Sequence, residues 1–348
     1  MKKILIIFLI LLFCSNAFSQ APQREPETID DKIGVGETID KYDFISPFTS
    51  KLKDGLKEHK IDLDIFGSIL QGFDNNVFLD PSRTKDGFLQ STVAVDAVYN
   101  YTNDIRLILN TDVTNISYYT KKDNNLLDLI GNPGFEMDFL DDYLTYIGDY
   151  KIEWVLFPHD KDGSYLSNEF SAYIRNNVYK GFYQQGGFKM EYRHYTNRKA
   201  YGPSAEPKSD LRDDIRYTGM YEAALYLYDF IKVKETVQFY RNDSNDQFMD
   251  YYDYYAFKTR TSLTVLFTDK LYGITSFSYT RKLYDDRLST EHQTHEKDNL
   301  YIFNASVLYE LTPSFTLSGG CSYRENTSNE PLEKFSGTIW TVGLYFTF

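Results

Sequence analysis

The sequence predicts an all-β protein, an antiparallel up-and-down transmembrane β-barrel of about fourteen strands with short periplasmic turns and longer outer loops. Three observations lead to this fold class. Segments of alternating apolar and polar residues follow one another from residue 61 onward, the connections between them alternate between short and long, and the 348 residues include 31 Tyr and 26 Phe. Tyrosine can place its ring at a membrane interface and its hydroxyl in water. Composition alone leaves a Tyr-rich secreted β-sandwich as the alternative.

The first part of the chain differs from the rest. Residues 1–19 are predicted to be a signal peptide, because two lysines precede an apolar run (4–13) and small residues suited to cleavage end at Ser19. Residues 20–59 are charged and lack a two-residue period, which favours a periplasmic leader or a short plug segment. The transmembrane barrel is predicted over residues 60–348.

Charge, cysteine content and hydropathy narrow the class of protein. The formal net charge of -13 argues against nucleic acid as a partner. Cys14 lies in the predicted signal peptide, so Cys321 stands alone and the mature chain forms no internal disulfide. The mean hydropathy of -0.45 is that of a polar protein, yet a barrel has a polar lumen and polar loops, so this average is compatible with one.

The strand predictions cover nearly the whole region after residue 60. Each candidate is close to or longer than the ~10 residues that a tilted membrane strand needs. The predicted strands are 61–73, 86–101, 104–119, 126–139, 144–157, 167–184, 186–199, 214–229, 230–243, 253–269, 270–285, 298–312, 314–327 and 335–348.

The connections give the strongest evidence for a barrel. Tight turns follow the even-numbered strands, whereas polar connections such as 74–86, 197–213 and 285–297 follow the odd-numbered ones. An even strand count with alternating short and long connections is the plan of an outer-membrane barrel, in which both ends of the sheet lie on the periplasmic side. The short turns are predicted at 102–104, 140–143, 184–186, 228–229, 268–269 and 312–313.

The last predicted strand has one apolar face. From Thr338 the even positions read Thr, Trp, Val, Leu, Phe and Phe, while most odd positions are smaller or carry a polar atom. Alternate side chains of a strand point to opposite faces. This strand is therefore expected to pair with 61–73 and close the cylinder. Phe348 is expected to act in assembly.

One motif resembles a known family. The segment Gln71-Gly-Phe-Asp-Asn-Asn-Val-Phe-Leu-Asp80 ends the first predicted strand, and Asp86-Gly-Phe-Leu-Gln90 begins the second. This pair is similar to the first hairpin of β-barrel porins associated with exopolysaccharide loci, with one additional Asn. The resemblance implies an outer-membrane pore. From the residues alone, Asp74-Asn-Asn76 also reads as ordinary turn chemistry that ends a strand.

Charged residues on the predicted inner face indicate a polar lumen. Acids gather toward the early strands, and Lys and Arg dominate the seventh to tenth. Opposed charges create a transverse field that orients small polar solutes; in the alternative, the same charges pair and fill a closed lumen. The predicted pore-lining residues are Asp96, Asp112, Lys151, Glu153, Lys189, Arg193, Lys232, Lys234, Lys258 and Arg260.

No residue set points to catalysis, a metal or a cofactor. Of the five His residues, only His194 falls on a predicted strand. His292 and His295 lie three apart beside carboxylates, but in a predicted loop, and a solvated polar loop is the simpler reading. The run from Asp250 to Tyr255 is predicted to form part of the outer aromatic girdle, and stacking of its aromatic rings on sugar rings is the alternative. The chain is predicted to be a non-enzyme without a cofactor.

These observations favour a bacterial outer-membrane, porin-like channel for small polar solutes or an anionic saccharide. The alternative is a non-channel barrel that serves adhesion or anchoring through acidic, Tyr-rich loops, and an outer-membrane hydrolase is third. The expected partners are outer-membrane lipid, the barrel assembly machinery and a polar or anionic saccharide.

Overall fold

The structure is a computed structural model. It describes residues 61–140, 143–179, 181–204, 206–228, 230–248, 252–291 and 293–348. The predicted signal peptide (1–19) and leader (20–59) therefore lie outside the described residues.

Fourteen antiparallel strands form one closed barrel, in which each strand pairs with its neighbours in sequence and β1 pairs with β14. The predicted fold class is thus confirmed. The helices in the described residues are single 3₁₀ turns, and none is long and apolar enough to cross a membrane. The strands are β1 (Ile61–Asp74), β2 (Asp86–Asn100), β3 (Ile105–Tyr118), β4 (Leu126–Phe139), β5 (Leu144–Leu156), β6 (Tyr165–Tyr179), β7 (Phe182–Tyr201), β8 (Pro207–Leu227), β9 (Ile231–Ser244), β10 (Tyr254–Thr268), β11 (Leu271–Leu288), β12 (His295–Thr312), β13 (Phe315–Ser328) and β14 (Phe335–Thr347). The 3₁₀ turns are Lys122–Asn124, Lys161–Gly163 and Pro331–Glu333.

The turn between β6 and β7 differs from the prediction. It lies at residues 180–181, whereas the sequence suggested 184–186. Gly181 has a φ of 96°, a left-handed conformation that glycine adopts without steric cost. Gln185 continues β7 and accepts a hydrogen bond from the Arg175 guanidinium, so the Gln-Gln-Gly sequence is ordinary strand.

Several strands also continue farther outward than predicted. β7 and β8 still pair at Lys199 with Leu211 and at Tyr201 with Pro207, so the loop between them shrinks to 202–206. β11 and β12 likewise extend to Leu288 and from His295. Polar residues do not prevent strand pairing above a membrane, because the backbone ladder is independent of lipid contact. The alternation of short and longer connections remains.

The apolar and polar residues alternate poorly in the fourth, sixth and eleventh predicted strands, which predicts a bulge or a register change there. β4 keeps one register with β5 on both sides of Pro133, so the expectation is wrong there. The register of β6 shifts between Asn177 and Tyr179, and that of β11 with β12 shifts between Leu283 and Leu288. Both shifts lie at strand ends, where fewer neighbouring pairs constrain the backbone.

The seam between β1 and β14 closes the barrel as the sequence predicted. Phe73 lies opposite Trp340, and the Phe348 backbone N–H donates to the Ile65 carbonyl at 2.9 Å. Gly343 is required here, because a Cβ at this position would lie 2.1 Å from the Ile69 carbonyl oxygen. The small residues of β14 thus allow the two terminal strands to approach closely.

The outer face of the barrel is apolar. Trp340, Val342 and Leu344 of β14 are 41–54% exposed, and similar residues point outward from other strands, including Val93, Phe277 and Val307. Many of their inward neighbours are polar or small, among them Thr341, Gly343, Ser276 and Ser278. A closed barrel satisfies all backbone hydrogen bonds between strands, which is the condition for crossing a bilayer without helices. The apolar exterior and polar interior place this barrel in the bacterial outer membrane.

Candidate functional site: the charged lumen

The strand register places all ten predicted lumen residues on the inner face. Eight of them line a central cavity of about 660 Å³: Asp112, Lys151, Glu153, Lys189, Arg193, Lys234, Lys258 and Arg260. Asp96 and Lys232 have the same inward parity but do not line this cavity. Lys232 is the second residue of β9, beside the periplasmic turn, and Asp96 pairs with Asp64 in the periplasmic half of β1.

The central cavity is enclosed by the whole barrel. All fourteen strands contribute lining residues, so it lies on the axis of the cylinder. Its volume falls within the ~300–1,000 Å³ usual for small-molecule sites. The walls of the cavity differ in chemistry from one group of strands to the next.

The wall formed by β5 to β8 is dominated by ion pairs, and we call it the paired wall. Lys189 Nζ lies 2.9 Å from Glu169, and Arg193 lies 2.7 Å from Glu191. Lys151 forms a similar 2.9 Å contact with Glu153. Because cations and carboxylates alternate here at bonding distance, their charges largely cancel.

The adjacent wall, formed by β9 to β11, carries cations. Its charged lining residues are Lys234, Lys258, Arg260 and Lys282, with no carboxylate among the described lining residues of these strands. The residues directly across from Lys258 are Gln238 and Thr280, and those across from Arg260 are Thr236 and Ser278. Lys234 Nζ lies 4.0 Å from a carboxylate oxygen of Glu222 on β8. We call this surface the cationic wall.

Two further surfaces complete the cavity. The β3 and β4 side presents Asp112 and Asp128, and Asp112 accepts a hydrogen bond from Thr114. Between this acidic side and the cationic wall lie neutral hydroxyl residues of β12 to β14: Ser306, Ser318, Ser322 and Thr341. The cavity therefore has opposite charges on opposite sides. Charges in a narrow, partly desolvated lumen interact more strongly than in bulk water.

The sequence reasoning missed two apolar clusters inside the barrel. One lies in the outer half and contains Phe88, Ile116 and Val155 together with Val77 from the first loop. The other lies toward the periplasm and contains Phe66, Leu70, Ala94, Tyr272, Ile274, Leu308 and Tyr345. These apolar residues occupy inward-facing positions of the predicted strands, and this pattern in the sequence could have predicted the clusters. These clusters narrow the lumen above and below the central cavity.

Several tyrosines also pack inward where an interfacial girdle was predicted. Tyr254 is 1% exposed and Tyr252 is 9% exposed, whereas Tyr255 points outward at 56%. The Arg212 guanidinium lies 3.2 Å from the Tyr252 ring centroid and 4.5 Å from that of Tyr195. The girdle prediction is therefore wrong for Tyr252 and Tyr254. Residues 249–251 lie outside the described part of the chain.

The motif at the end of β1 has a structural role that sequence reasoning did not assign. Residues 75–85, the first loop, fold into the outer lumen, and Val77 and Leu79 are buried. Arg324 of β13 donates from one nitrogen to both Asp74 oxygens, at 2.9 and 3.0 Å, and both side chains are fully buried. Asn76 donates to the carbonyls of Asp80 and Ser336. We call these contacts the seam lock, because they join β1 and its loop to β13 and β14.

The structure places two of the described histidines on strands. His194 Nδ1 lies 2.6 Å from an Asp213 oxygen on the outward face of the barrel. His295 is the first residue of β12, so it lies on a strand and not in the predicted loop, while His292 is outside the described residues. Among the described residues, no group of three or more His, Cys, Asp or Glu side chains is arranged to hold a metal ion.

Comparisons with known proteins give structural likenesses only. No protein-family model matches the chain, and no curated protein matches it. Among solved structures, the chain is similar to outer-membrane-expressed OmpT of Vibrio cholerae, with 11% identity over 84% of this chain and 99% of that chain, at a TM-score of 0.48. It is also similar to an anion-selective porin from Comamonas acidovorans, with 8% identity over 83% of this chain and 99% of that chain, at a TM-score of 0.44.

Proposed function

We propose that the protein is a porin-like channel of the outer membrane that passes small polar solutes, with a preference for anions such as an anionic saccharide. The observation that carries this proposal is the central cavity on the barrel axis, with the cationic wall facing Asp112 and Asp128. Fixed charges that line a pore set the sign of the ions that pass. Four cations on one wall against two carboxylates on the other favour anions.

The motif at the end of β1 supports a finer proposal. Its resemblance to barrel porins of exopolysaccharide loci fits a role in saccharide movement. In this proposal residues 1–19 direct export, residues 20–59 form a periplasmic leader, and Phe348 promotes insertion by the barrel assembly machinery.

A non-channel barrel that serves adhesion or anchoring is the second candidate. It is favoured by the first loop, which folds into the outer lumen, and by the apolar cluster around Phe88, Ile116 and Val77. If these residues seal the outer half of the lumen, the interior charges serve only to stabilise the barrel.

Planar-bilayer recording separates the two candidates. Purified protein whose folded state is verified by a shift in gel mobility on boiling is added to a lipid bilayer under a salt gradient. Stepwise conductance with an anion-selective reversal potential is expected. An absence of current from folded protein would contradict the channel proposal and would favour the non-channel barrel.

A further inference from the structure

A carboxylate on β9 faces the membrane instead of the lumen. Glu235 lies directly across from Ala223 of β8 and Thr261 of β10. It has the same strand parity as Phe239, which is 63% exposed on the outer face, whereas its neighbour Lys234 lines the central cavity. The Glu235 side chain therefore points outward from the barrel.

The depth of Glu235 follows from its place along β9. Each residue of a strand tilted by about 40° rises about 2.5 Å along the membrane normal, so the four steps from Ile231 place Glu235 about 10 Å above the periplasmic end of the strand. The exposed rings of Tyr228 and Phe230 lie at that end, where an aromatic girdle is expected. The apolar band of such a barrel is about 25 Å tall. Glu235 thus lies near the middle of the hydrocarbon layer.

The contacts of Glu235 leave its charge without a cation. The hydroxyls of Thr259 and Thr261 donate to its two carboxylate oxygens. Among the described residues it forms no ion pair, and its outward neighbours along β9 are Val233 and Val237. Charge on the lipid face destabilises a barrel, and ionisable groups at this depth are normally paired and mark functional sites.

The surface beside Glu235 leaves room for the backbone of a partner. On the outer face of β8, Ala223 is small, and a Cβ placed at Gly219 would meet no atom within 4 Å. A Cβ placed at Gly186 of β7 would meet only the Met220 carbonyl oxygen, at 3.8 Å. Small residues allow two membrane-spanning segments to approach closely. We call the surface formed by Gly219, Ala223, Glu235, Thr259 and Thr261 the lateral patch.

We infer that the lateral patch is a docking site, within the membrane, for a spanning segment of another protein that carries a lysine or arginine at mid-bilayer depth. The cation of that segment contacts the Glu235 carboxylate, and its backbone lies against Gly219 and Ala223. This inference is independent of the proposed channel function, because the patch is on the outer face of the sheet and the cavity is on the inner face.

A second copy of the barrel does not supply the cation. Outward Arg and Lys residues such as Arg241, Arg281 and Lys297 lie in the outer halves of their strands. Copies in one membrane share the same orientation, so these cations remain above the level of Glu235. The ammonium of a lipid headgroup lies at the membrane surface, also away from this depth. A foreign segment with a central cation complements the patch.

Binding of model membrane-spanning peptides tests the inference. The purified protein is reconstituted in phosphatidylcholine vesicles with a donor dye on Tyr228→Cys in a Cys321→Ser background. Leu/Ala peptides of about 20 residues, long enough to span the bilayer, carry an acceptor dye and a central Lys, Leu or Glu. Energy transfer gives the peptide-to-lipid ratio at half-saturation. The lysine peptide is expected to half-saturate at a ratio about tenfold below those of the other two.

Variants locate the site. Glu235→Gln keeps the shape without the charge and is expected to abolish the preference for the lysine peptide. Glu235→Leu removes a charge from the lipid face, so the urea midpoint of the peptide-free barrel is expected to rise. Thr275→Val is the matched control, because it removes another outward hydroxyl, on β11, and is expected to leave the preference unchanged. Gel mobility without boiling verifies that each variant is folded.

Several outcomes would overturn the inference. Equal binding of the lysine and leucine peptides to wild-type protein contradicts it, as does a lysine preference that survives in Glu235→Gln. A lower urea midpoint for Glu235→Leu would show that Glu235 serves the barrel itself by joining β9 to β10. Dimers that Glu235→Gln dissociates would assign the patch to a second copy. Loss of the lysine preference in phosphatidylethanolamine vesicles would assign it to a lipid amine.

Discussion

Two arginines that both point into the barrel have different surroundings and different roles. Arg324 of β13 is fully buried in the seam lock and bonds both oxygens of Asp74. Arg260 of β10 is partly exposed on the cationic wall, where Thr236 and Ser278 lie directly across from it. The difference teaches that inward parity alone does not make a residue part of a pore. The surrounding residues decide whether its charge stabilises the barrel or faces the cavity.

The largest effect is expected at the seam lock. Arg324→Ala leaves Asp74 buried without its cation, and breaking a buried pair on one side costs about 3–5 kcal/mol. The free energy of unfolding, measured by urea titration in detergent or lipid, is expected to fall by that amount. Replacing both partners, Arg324→Met with Asp74→Leu, is expected to recover part of the loss, because no uncompensated charge remains.

The exposed Lys334→Ala variant is the control for the seam lock, and it is expected to change stability by less than about 0.5 kcal/mol. If Arg324→Ala is as stable as Lys334→Ala, the pair contributes little, and the contrast between Arg324 and Arg260 disappears.

Charge reversal on the cationic wall is expected to change selectivity with little effect on folding. At an effective dielectric constant of about 20, one charge acts over about 8 Å with about 2 kcal/mol. Lys258→Glu with Arg260→Glu is therefore expected to shift the permeability ratio several-fold toward cations. The reversal potential in a salt gradient measures the shift.

A matched charge change tests whether position or net charge matters. Lys297→Glu with Lys334→Glu makes the same change at exposed outer positions and is expected to leave the reversal potential nearly unchanged. Equal shifts from both double variants would show that Lys258 and Arg260 act only through overall charge.

The periplasmic end of the seam offers a smaller test. Phe348 exchanges two backbone hydrogen bonds with Ile65, of 2.9 and 3.2 Å. Deletion of Phe348 removes both, at about 1 kcal/mol each, and is expected to lower the amount of folded protein in the membrane several-fold. Phe348→Tyr keeps the backbone and an aromatic ring, and it serves as the control. Normal membrane levels after the deletion would show that Phe348 has no special role in assembly.

The smallest effect is expected in the outer loop 329–334. Burial opposes ionisation of Glu330, but hydrogen bonds from the Thr290 N–H and hydroxyl and from the Leu332 N–H outweigh it and lower the pKa of this carboxyl below its ordinary value of 4.5. A carboxyl with a lowered folded-state pKa stabilises the fold above its ordinary pKa, and this contribution is lost as pH falls through the lowered pKa. Glu330→Gln is expected to cost about 1 kcal/mol or less at pH 7.

Amide hydrogen exchange at Thr290 measures the Glu330 effect. Faster exchange in Glu330→Gln than in wild type is expected at pH 7, with the difference shrinking as the pH falls through the lowered pKa of the Glu330 carboxyl. Asp162→Asn, an exposed substitution on a different loop, is the control. A difference that persists unchanged at low pH would contradict a role for the ionised carboxylate.

Local patterns were enough to predict the barrel. The two-residue period gave the apolar face of β14 and the set of inward charged residues, and loop chemistry gave the even strand count and the alternating connections. They worked because a strand buried between lipid and a polar lumen must alternate, whatever its neighbours are. The β6–β7 turn was misplaced because Gln184-Gln-Gly186 resembles a turn locally, whereas pairing with β6 and β8 holds it in a strand.

Only the tertiary structure decided whether an inward charged residue contacts a carboxylate of the barrel or faces the cavity. The sequence placed Lys189, Arg193 and Arg260 in one lumen-facing set, but it could not show that the first two contact carboxylates while Arg260 lies between hydroxyl residues. It also contained Asp74 and Arg324 without linking them, since 250 positions separate the two. The alternation of inward and outward side chains is set within one strand. Which side chains contact each other depends on the register between strands around the closed barrel, and only the folded barrel fixes that register.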